Sequence, residues 1–269
     1  MNDYSLPDSL IVTGAGHGIG KAIALSLGQP GREILCISKT DSCLSTQKEI
    51  ISHGGKASAL KLDLADYNFA HKEVLKWVQS KDVTRVGVIA AAAILGPPGP
   101  LKDNSLSDWE NTFKVNLLGN LAVVQAVLPV MEKEKYGRII MFSGGGSAYG
   151  YPDFPAYSIS KTAIVREVEN LAQDLSSKGD IAVTCIAPGA IETDLLAAVK
   201  AAGGTVHTPG NMADVILCIQ ALLGNNAGLL SGRFVHARDN WQIVLNKKGA
   251  NLMPDQWKLR RIEEKIEDK

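Results

Sequence analysis

The stretch Ser9-Leu10-Ile11-Val12-Thr13-Gly14-Ala15-Gly16-His17-Gly18-Ile19-Gly20 decides the fold. Its opening residues form a short apolar run that reads as a strand, and from Ile19 onward the pattern is helical. The glycines therefore occupy a strand-to-helix turn, the context that dinucleotide binding requires. Gly14 permits the tight turn, Gly18 lets a pyrophosphate approach the backbone, and Gly20 permits close packing of helix on strand. Gly16, His17 and Ile19 complete the turn and are expected to border the same ligand. The helix start adds free N–H groups and a positive dipole end, which favour phosphate.

Outward from that turn, strand and helix alternate. Short apolar runs recur at 9–13, 33–38, 57–63, 85–91, 137–143, 181–187 and 232–236, and amphipathic stretches of helix length lie at 18–27, 43–53, 65–80, 106–134, 157–177 and 213–223. Apolar runs of this kind suit strands buried on both faces. The pattern predicts an α/β fold: a Rossmann-type, doubly wound parallel sheet of about seven strands in one domain, with ligands at the strands' C-terminal edge. The domain is expected to cover residues 1–240, followed by a polar tail at 241–269 whose end, from 259, reads as a short exposed helix. Two loops break the pattern. The Pro- and Gly-rich 96–104 cannot be helical. The segment 188–212 carries a short helical piece at 195–202 and then Gly203-Gly204, which marks it as a mobile lid.

Lys+Arg and Asp+Glu both number 28, so the net charge is zero and there is no electrostatic case for nucleic acid or an anionic membrane. A hydrophobic share of 45% with 21% charged residues suits a well-cored protein. The apolar run at 86–95 is half a membrane span, and the N-terminus lacks the pattern of a signal peptide. Cys36, Cys43, Cys185 and Cys218 are scattered with no metal-ligand spacing, which points to reduced thiols and a cytoplasmic location. The histidines do not cluster, so no metal is expected. Trp109, Trp241 and Trp257 read as packing residues.

Two further places carry chemistry. Tyr157 and Lys161 stand at i and i+4 on one helical face, where an ammonium favours phenolate in its neighbour. The end of the second strand reads Ile37-Ser38-Lys39-Thr40. A carboxylate there would hold a ribose 2′-hydroxyl and repel a 2′-phosphate. Ser38, Lys39 and nearby His17 instead favour NADP over NAD, although Asp41 is close.

These pieces resemble the short-chain dehydrogenase/reductase family over nearly the whole chain to about Asn240. The resemblance rests on Thr13-Gly-x-x-x-Gly-Ile-Gly20, Asp63-Leu64, Val115-Asn116, Tyr157-x-x-x-Lys161 and Pro188-Gly189. It implies hydride transfer between a nicotinamide and a carbonyl or alcohol carbon. Tyr157 is then the proton donor or acceptor. Lys161 binds the nicotinamide ribose and lowers the tyrosine's pKa, and Asn116 bends its helix and helps hold a proton-relay water. Asp63 and Leu64 lie near the adenine, Ala91 forms part of the cofactor wall, and the segment Pro188, Gly189, Ile191 to Thr193 borders the nicotinamide. Relatives pair through the two longest helices, so a homodimer or homotetramer is expected.

The chain departs from the family twice. Asn-Asn-Ala-Gly after the fourth strand is replaced by Ala90-Ala91-Ala92-Ala93. The family's serine commonly stands thirteen residues before the tyrosine, and that position here is Gly144. Ser143 and Ser147 both remain candidates, Ser143 preferred. The backbone N–H groups of Gly144–Gly146 are the alternative. The pocket loops mix Leu, Ala, Tyr and Pro, which suggests an apolar lining without naming the substrate.

Overall fold

The computed structural model describes residues 6–206, 208–246 and 252–261. Seven strands form one sheet: β1 (Ser9–Thr13), β2 (Glu33–Ser38), β3 (Lys56–Lys61), β4 (Val86–Ala90), β5 (Tyr136–Phe142), β6 (Asp180–Ala187) and β7 (Phe234–His236). Every pairing is parallel and the order is β3-β2-β1-β4-β5-β6-β7. The order reverses between β1 and β4, and the crevice above that switch point is where such sheets bind ligands.

The helices are α1 (Gly18–Leu27), α2 (Ser42–Ser52), α3 (Tyr67–Gln79), α4 (Leu106–Phe113), α5 (Asn120–Glu134), α6 (Pro155–Asp174), α7 (Asp194–Ala201), α8 (Met212–Leu222) and α9 (Trp241–Asn246). Alternate strand residues feed two cores, as the two-residue side-chain period demands. Leu10, Val12, Ile34, Cys36, Ile89 and Ile140 pack with α1 and α8. Ile11, Leu35, Val88, Ile139, Met141, Val183 and Cys185 pack with α3, α5 and α6. With both faces covered, the central strands have to be apolar throughout, which is why they were legible as continuous runs.

The expected single helix over 106–134 is divided. Residues Lys114–Gly119 form a π-helical segment between α4 and α5. Gly119 lies so close to Leu64 that a Cβ would run into the Leu64 carbonyl oxygen. The whole run Leu106–Glu134 is long and apolar enough to cross a membrane by length and composition, and 44% of its most apolar window is buried inside the fold. Its apolar face has a protein explanation, since α5 packs against α3 and the sheet.

Beyond residue 240 the described chain does not leave the domain. Trp241, Val244 and Leu245 of α9 are buried in the α1/α8 core, and the Trp241 indole donates to the Ala237 carbonyl at 3.0 Å. Residues 252–261 then run as a strap along the sheet edge. The Phe234 N–H donates to the Trp257 carbonyl at 2.7 Å, which satisfies β7 where, among the described residues, no further strand continues the sheet. At its end Arg260 pairs with the buried Glu169 of α6 at 2.8 Å. Of the exposed helix expected at the terminus, residues 259–261 are non-helical, and 262–269 lie outside the described residues.

Candidate active site

The glycine turn is shaped by steric exclusion. Gly14 has φ +68° and Gly18 φ +50°, a region that L side chains rarely enter. A Cβ on Gly20 would strike the Gly14 carbonyl oxygen, and one on Gly16 would strike the Ser42 hydroxyl. The N-cap of α1 is His17, with no side-chain cap and no acid in the first turn. The helix therefore presents uncapped amides beside a cradle without side chains, which fits a pyrophosphate. Gly14, Gly16, His17, Gly18, Ile19 and Gly20 all line one large cavity.

At the end of β2 the polar side chains are already engaged. The Ser38 hydroxyl donates to the Thr40 carbonyl at 2.7 Å and accepts from the Cys43 N–H at 3.1 Å. Lys39 is ion-paired with Asp63 at 2.8 Å. Partial burial pushes the Asp63 carboxyl up, but Lys39 and the Ala65 amide outweigh it and hold the carboxyl below its ordinary value. Asp41 is drawn to Lys61 at 3.0 Å. It is absent from the cavity wall to which Ser38, Lys39, Thr40, Asp63 and Leu64 contribute.

Ala90–Ala93 carry no polar side chains, and their backbone is tied from outside. The Ala92 N–H donates to the Thr13 hydroxyl at 3.0 Å, and the Ala92 carbonyl accepts from the Asn120 amide at 3.0 Å. The Thr13 hydroxyl donates to Asn120 Oδ1 at 2.7 Å, closing the network. Asn116, in the π-helical segment, accepts from the Ile94 N–H at 2.8 Å and donates to the Ile94 carbonyl at 2.9 Å. It also donates to Ser160 at 3.1 Å. Asn120 was missed in the sequence; its place one helical turn after Asn116 was the available signal.

Tyr157 and Lys161 lie in the first turns of α6 and face the same cavity as the glycine turn. The Lys161 ammonium is buried, at 2% relative exposure. It donates to the Phe142 carbonyl at 2.9 Å and sits 5.6 Å from the Tyr157 ring centroid. Burial lowers the lysine pKa to about 8. Burial, with a smaller contribution from Tyr151, pushes the Tyr157 phenol up to about 12. The protein alone therefore favours a neutral phenol.

Ser143 and Ser147 are both buried. Their hydroxyls meet at 2.5 Å, and Ser143 also donates to the Lys161 carbonyl at 3.1 Å. Gly144 stands opposite the tyrosine: a Cβ there would lie 3.5 Å from the Tyr157 hydroxyl, with only Tyr157 atoms within 4 Å.

Pro188, Gly189, Ile191 and Thr193 follow β6 on the same wall, with Ala91 across the crevice. Thr193 caps α7 by accepting from the Leu196 N–H at 3.4 Å. Three loops then meet at one residue that sequence reading did not single out. The Asp153 carbonyl accepts from the Gly99 N–H at 2.8 Å, and its carboxylate accepts from the Thr205 N–H at 3.2 Å. Tyr151 adds a bond to the Thr205 carbonyl at 3.2 Å. Below them Phe154, Leu196 and Val199 form a small apolar cluster against Leu95, Tyr151 and Tyr157. The cavity measures about 1190 Å³, more than the roughly 300–1,000 Å³ of a single small-ligand pocket. Among the described residues no group of three or more His, Cys, Asp or Glu is placed to hold a metal ion.

The family model for short chain dehydrogenases matches residues 8–203. A 3-oxoacyl-[acyl-carrier-protein] reductase from Synechocystis is 31% identical over 187 residues, 69% of this chain and 74% of that protein. Versicolorin reductase 1 from Dothistroma septosporum is 33% identical over 195 residues, 70% of this chain and 71% of that protein. Among solved structures, an NAD(P)-dependent gluconate 5-dehydrogenase assignment from Beutenbergia cavernae, with NADP bound, superposes with a TM-score of 0.80. It is 26% identical, and the match covers 89% of this chain and 98% of that one. With the glycine turn, the seven-stranded parallel sheet and these relatives in agreement, the chain belongs to the short-chain dehydrogenase family of NAD(P)-dependent oxidoreductases.

Proposed function

We propose that the protein is an NADP-dependent oxidoreductase that interconverts a carbonyl compound and its alcohol, with Tyr157 as the general acid/base. The observation that carries this reading is the convergence of Tyr157, Lys161 and the glycine turn on one cavity. When bound, the dinucleotide supplies or accepts the hydride. Gly14 to Gly20 and the α1 amides would hold its pyrophosphate, and Lys161 its nicotinamide ribose. In the reducing direction Tyr157 donates its proton to the carbonyl oxygen, and burial keeps the phenol in the protonated form that this step needs. Oxidising an alcohol needs the phenolate instead; Lys161, 5.6 Å from the ring centroid, is the cation that would stabilise it once the cofactor and substrate are in place. Asn116 holds the Ile94 backbone beside the site.

NADP is the preferred cofactor in this reading because β2 ends in Ser38 and Lys39 rather than a carboxylate, His17 stands in the nearby glycine turn, and the wall's Asp63 is paired with Lys39. The NADP-bound relative agrees with it. A cytoplasmic homodimer or homotetramer through α4–α6 is the matching assembly, since Leu106 (74% exposed), Leu118 and Ile159 leave apolar surface there. Sedimentation should then report two or four chains per particle.

A second reading, a cofactor-binding regulator with slack chemistry, is favoured by one observation: the hydroxyls of Ser143, which lines the cavity, and Ser147 bond to each other and to backbone carbonyls. The experiment that separates the two is nicotinamide oxidation against a panel of ketones and aldehydes, with NADPH and NADH. Wild type should turn over at least one carbonyl, and Tyr157→Phe should lose turnover while still binding NADPH. Lys39→Ala should raise the NADPH KM about tenfold, the scale of one hydrogen bond to a charged group, and spare NADH. Tight NADPH binding without turnover of any carbonyl would favour the regulator.

A further inference from the structure

The cavity does not end at Tyr157. Its lining extends past the ends of β5, β6 and β7 to the strap, with Phe234, His236, Trp257, Lys258 and Leu259 in the wall, and we treat this part of the wall as a branch of the cavity. Phe234 and Cys185 face the α6 side of the sheet, and the two-residue period places Ala187 and His236 on that same side. This is the side on which Tyr157 stands. Two strand spacings separate the end of β5 from that of β7, so the branch reaches ~10 Å from Gly144.

Its walls are of two kinds. Phe234 and Leu259 are apolar and pack against the α6 core. At the far end, Asp239 is engaged, its carboxylate accepting from the His236 N–H at 2.7 Å. Lys258 has no ion-pair partner among the described residues, whereas the cavity's Lys39 is paired and Lys161 is hydrogen-bonded. Trp257, just before it, holds φ +58°, an outlier for a bulky side chain. Such a conformation persists only where the surroundings enforce it. Here the bond from Phe234 and the pairing of Arg260 with Glu169 fasten the strap on both sides.

We infer that this branch is a substrate subsite in which Lys258 receives an anionic group carried ~10 Å from the reacting carbonyl on an apolar spacer. The inference rests on the oxidoreductase reading and narrows its substrate class to carbonyl compounds with a distal carboxylate or comparable anion. The strap is then part of the site, and the tail beyond 240 contributes to specificity.

The test compares a long-chain methyl-ketone carboxylate with its methyl ester as NADPH-dependent substrates of the full chain, beside a neutral ketone panel. Wild type should favour the acid. Lys258→Met should raise the KM for the acid about fivefold, the scale of a partly exposed ion pair, with kcat and the ester unchanged. Lys258→Arg should keep the acid preference, which a merely structural role would not predict, and added salt should weaken it. An acid-to-ester ratio unchanged by Lys258→Met overturns the subsite while the oxidoreductase reading stands. Failure of wild type on every carbonyl overturns both.

Discussion

The two halves of the site are held by different means. Around β1, β2 and β4 the chain is fixed by backbone meeting backbone: Gly20 against the Gly14 carbonyl, Gly14 against Ala92, and Gly119 against the Leu64 carbonyl. Around β5, β6 and β7 the walls are long loops, joined by a few backbone bonds such as Ala190 N–H to the Thr208 carbonyl at 2.7 Å and, between separate loops, by single side chains, chiefly Asp153, Tyr151 and Arg260. The first arrangement leaves no room for an added atom at these contacts. The second can change residues and even loop length without disturbing the sheet. A cofactor common to a family and a substrate peculiar to each member suit those two halves. The relatives illustrate it, since their names carry an acyl-carrier-protein ketone, versicolorin and gluconate.

That contrast can be broken by experiment. Gly20→Ala should have the largest effect, because the new methyl has only backbone to displace. We expect a loss of about 3 kcal/mol, read as a melting temperature roughly 6–12 °C lower, with NADPH affinity falling alongside. A fully stable Gly20→Ala would show that the turn is less rigid than its contacts require.

Lys161→Met comes next and depends on pH. The lysine is depressed to about 8 in the fold, against 10.5 as its ordinary value. Between those values the unfolded chain binds more protons than the native one, so wild-type stability rises as pH climbs through that window. Below about pH 8 the buried ammonium costs stability in full. Lys161→Met should therefore melt higher than wild type at pH 7, with the difference closing toward pH 10.5. A constant difference would mean the ammonium is not the source.

Asp153→Ala should act on the loop half alone. We expect about 0.5–1 kcal/mol of stability lost, the scale of one exposed hydrogen bond. Hydrogen exchange should quicken at Thr205 and the substrate KM should rise, with the NADPH KM unchanged. The smallest effect is expected for Ser143→Ala, whose hydroxyl serves the wall. Gly144→Ser, with its Cβ 3.5 Å from the Tyr157 hydroxyl, should change kcat more than Ser143→Ala does. The reverse order would return the serine role to Ser143.

The sheet was legible because central strands buried on both faces have to be continuous apolar runs, and six amphipathic stretches marked by period where α1 to α6 and α8 lie, with α4 and α5 inside a single stretch. The π-helical segment was not, since Val115-Asn116-Leu117-Leu118 continues an ordinary helical pattern. It follows from Asn116 bonding both backbone groups of Ile94 and from the close approach of Gly119 to Leu64. The packing of residues 241–245 was hidden for a similar reason: polar neighbours mask Trp241, Val244 and Leu245, which bury because the α1/α8 face has room for them.

What the sequence by itself determined is what depends on local spacing: the glycine turn between strand and helix, the i,i+4 tyrosine and lysine, and the alternation that makes a parallel sheet. Tertiary structure alone decided which charges are spoken for. Lys39 met Asp63, Asp41 met Lys61, and Lys258 was left facing the cavity. It also turned Ser143 and Ser147 toward each other. The physical reason is one of range. Helix and strand patterns arise between near neighbours in the chain, whereas a charge or hydroxyl takes whichever partner the fold brings within about 3 Å.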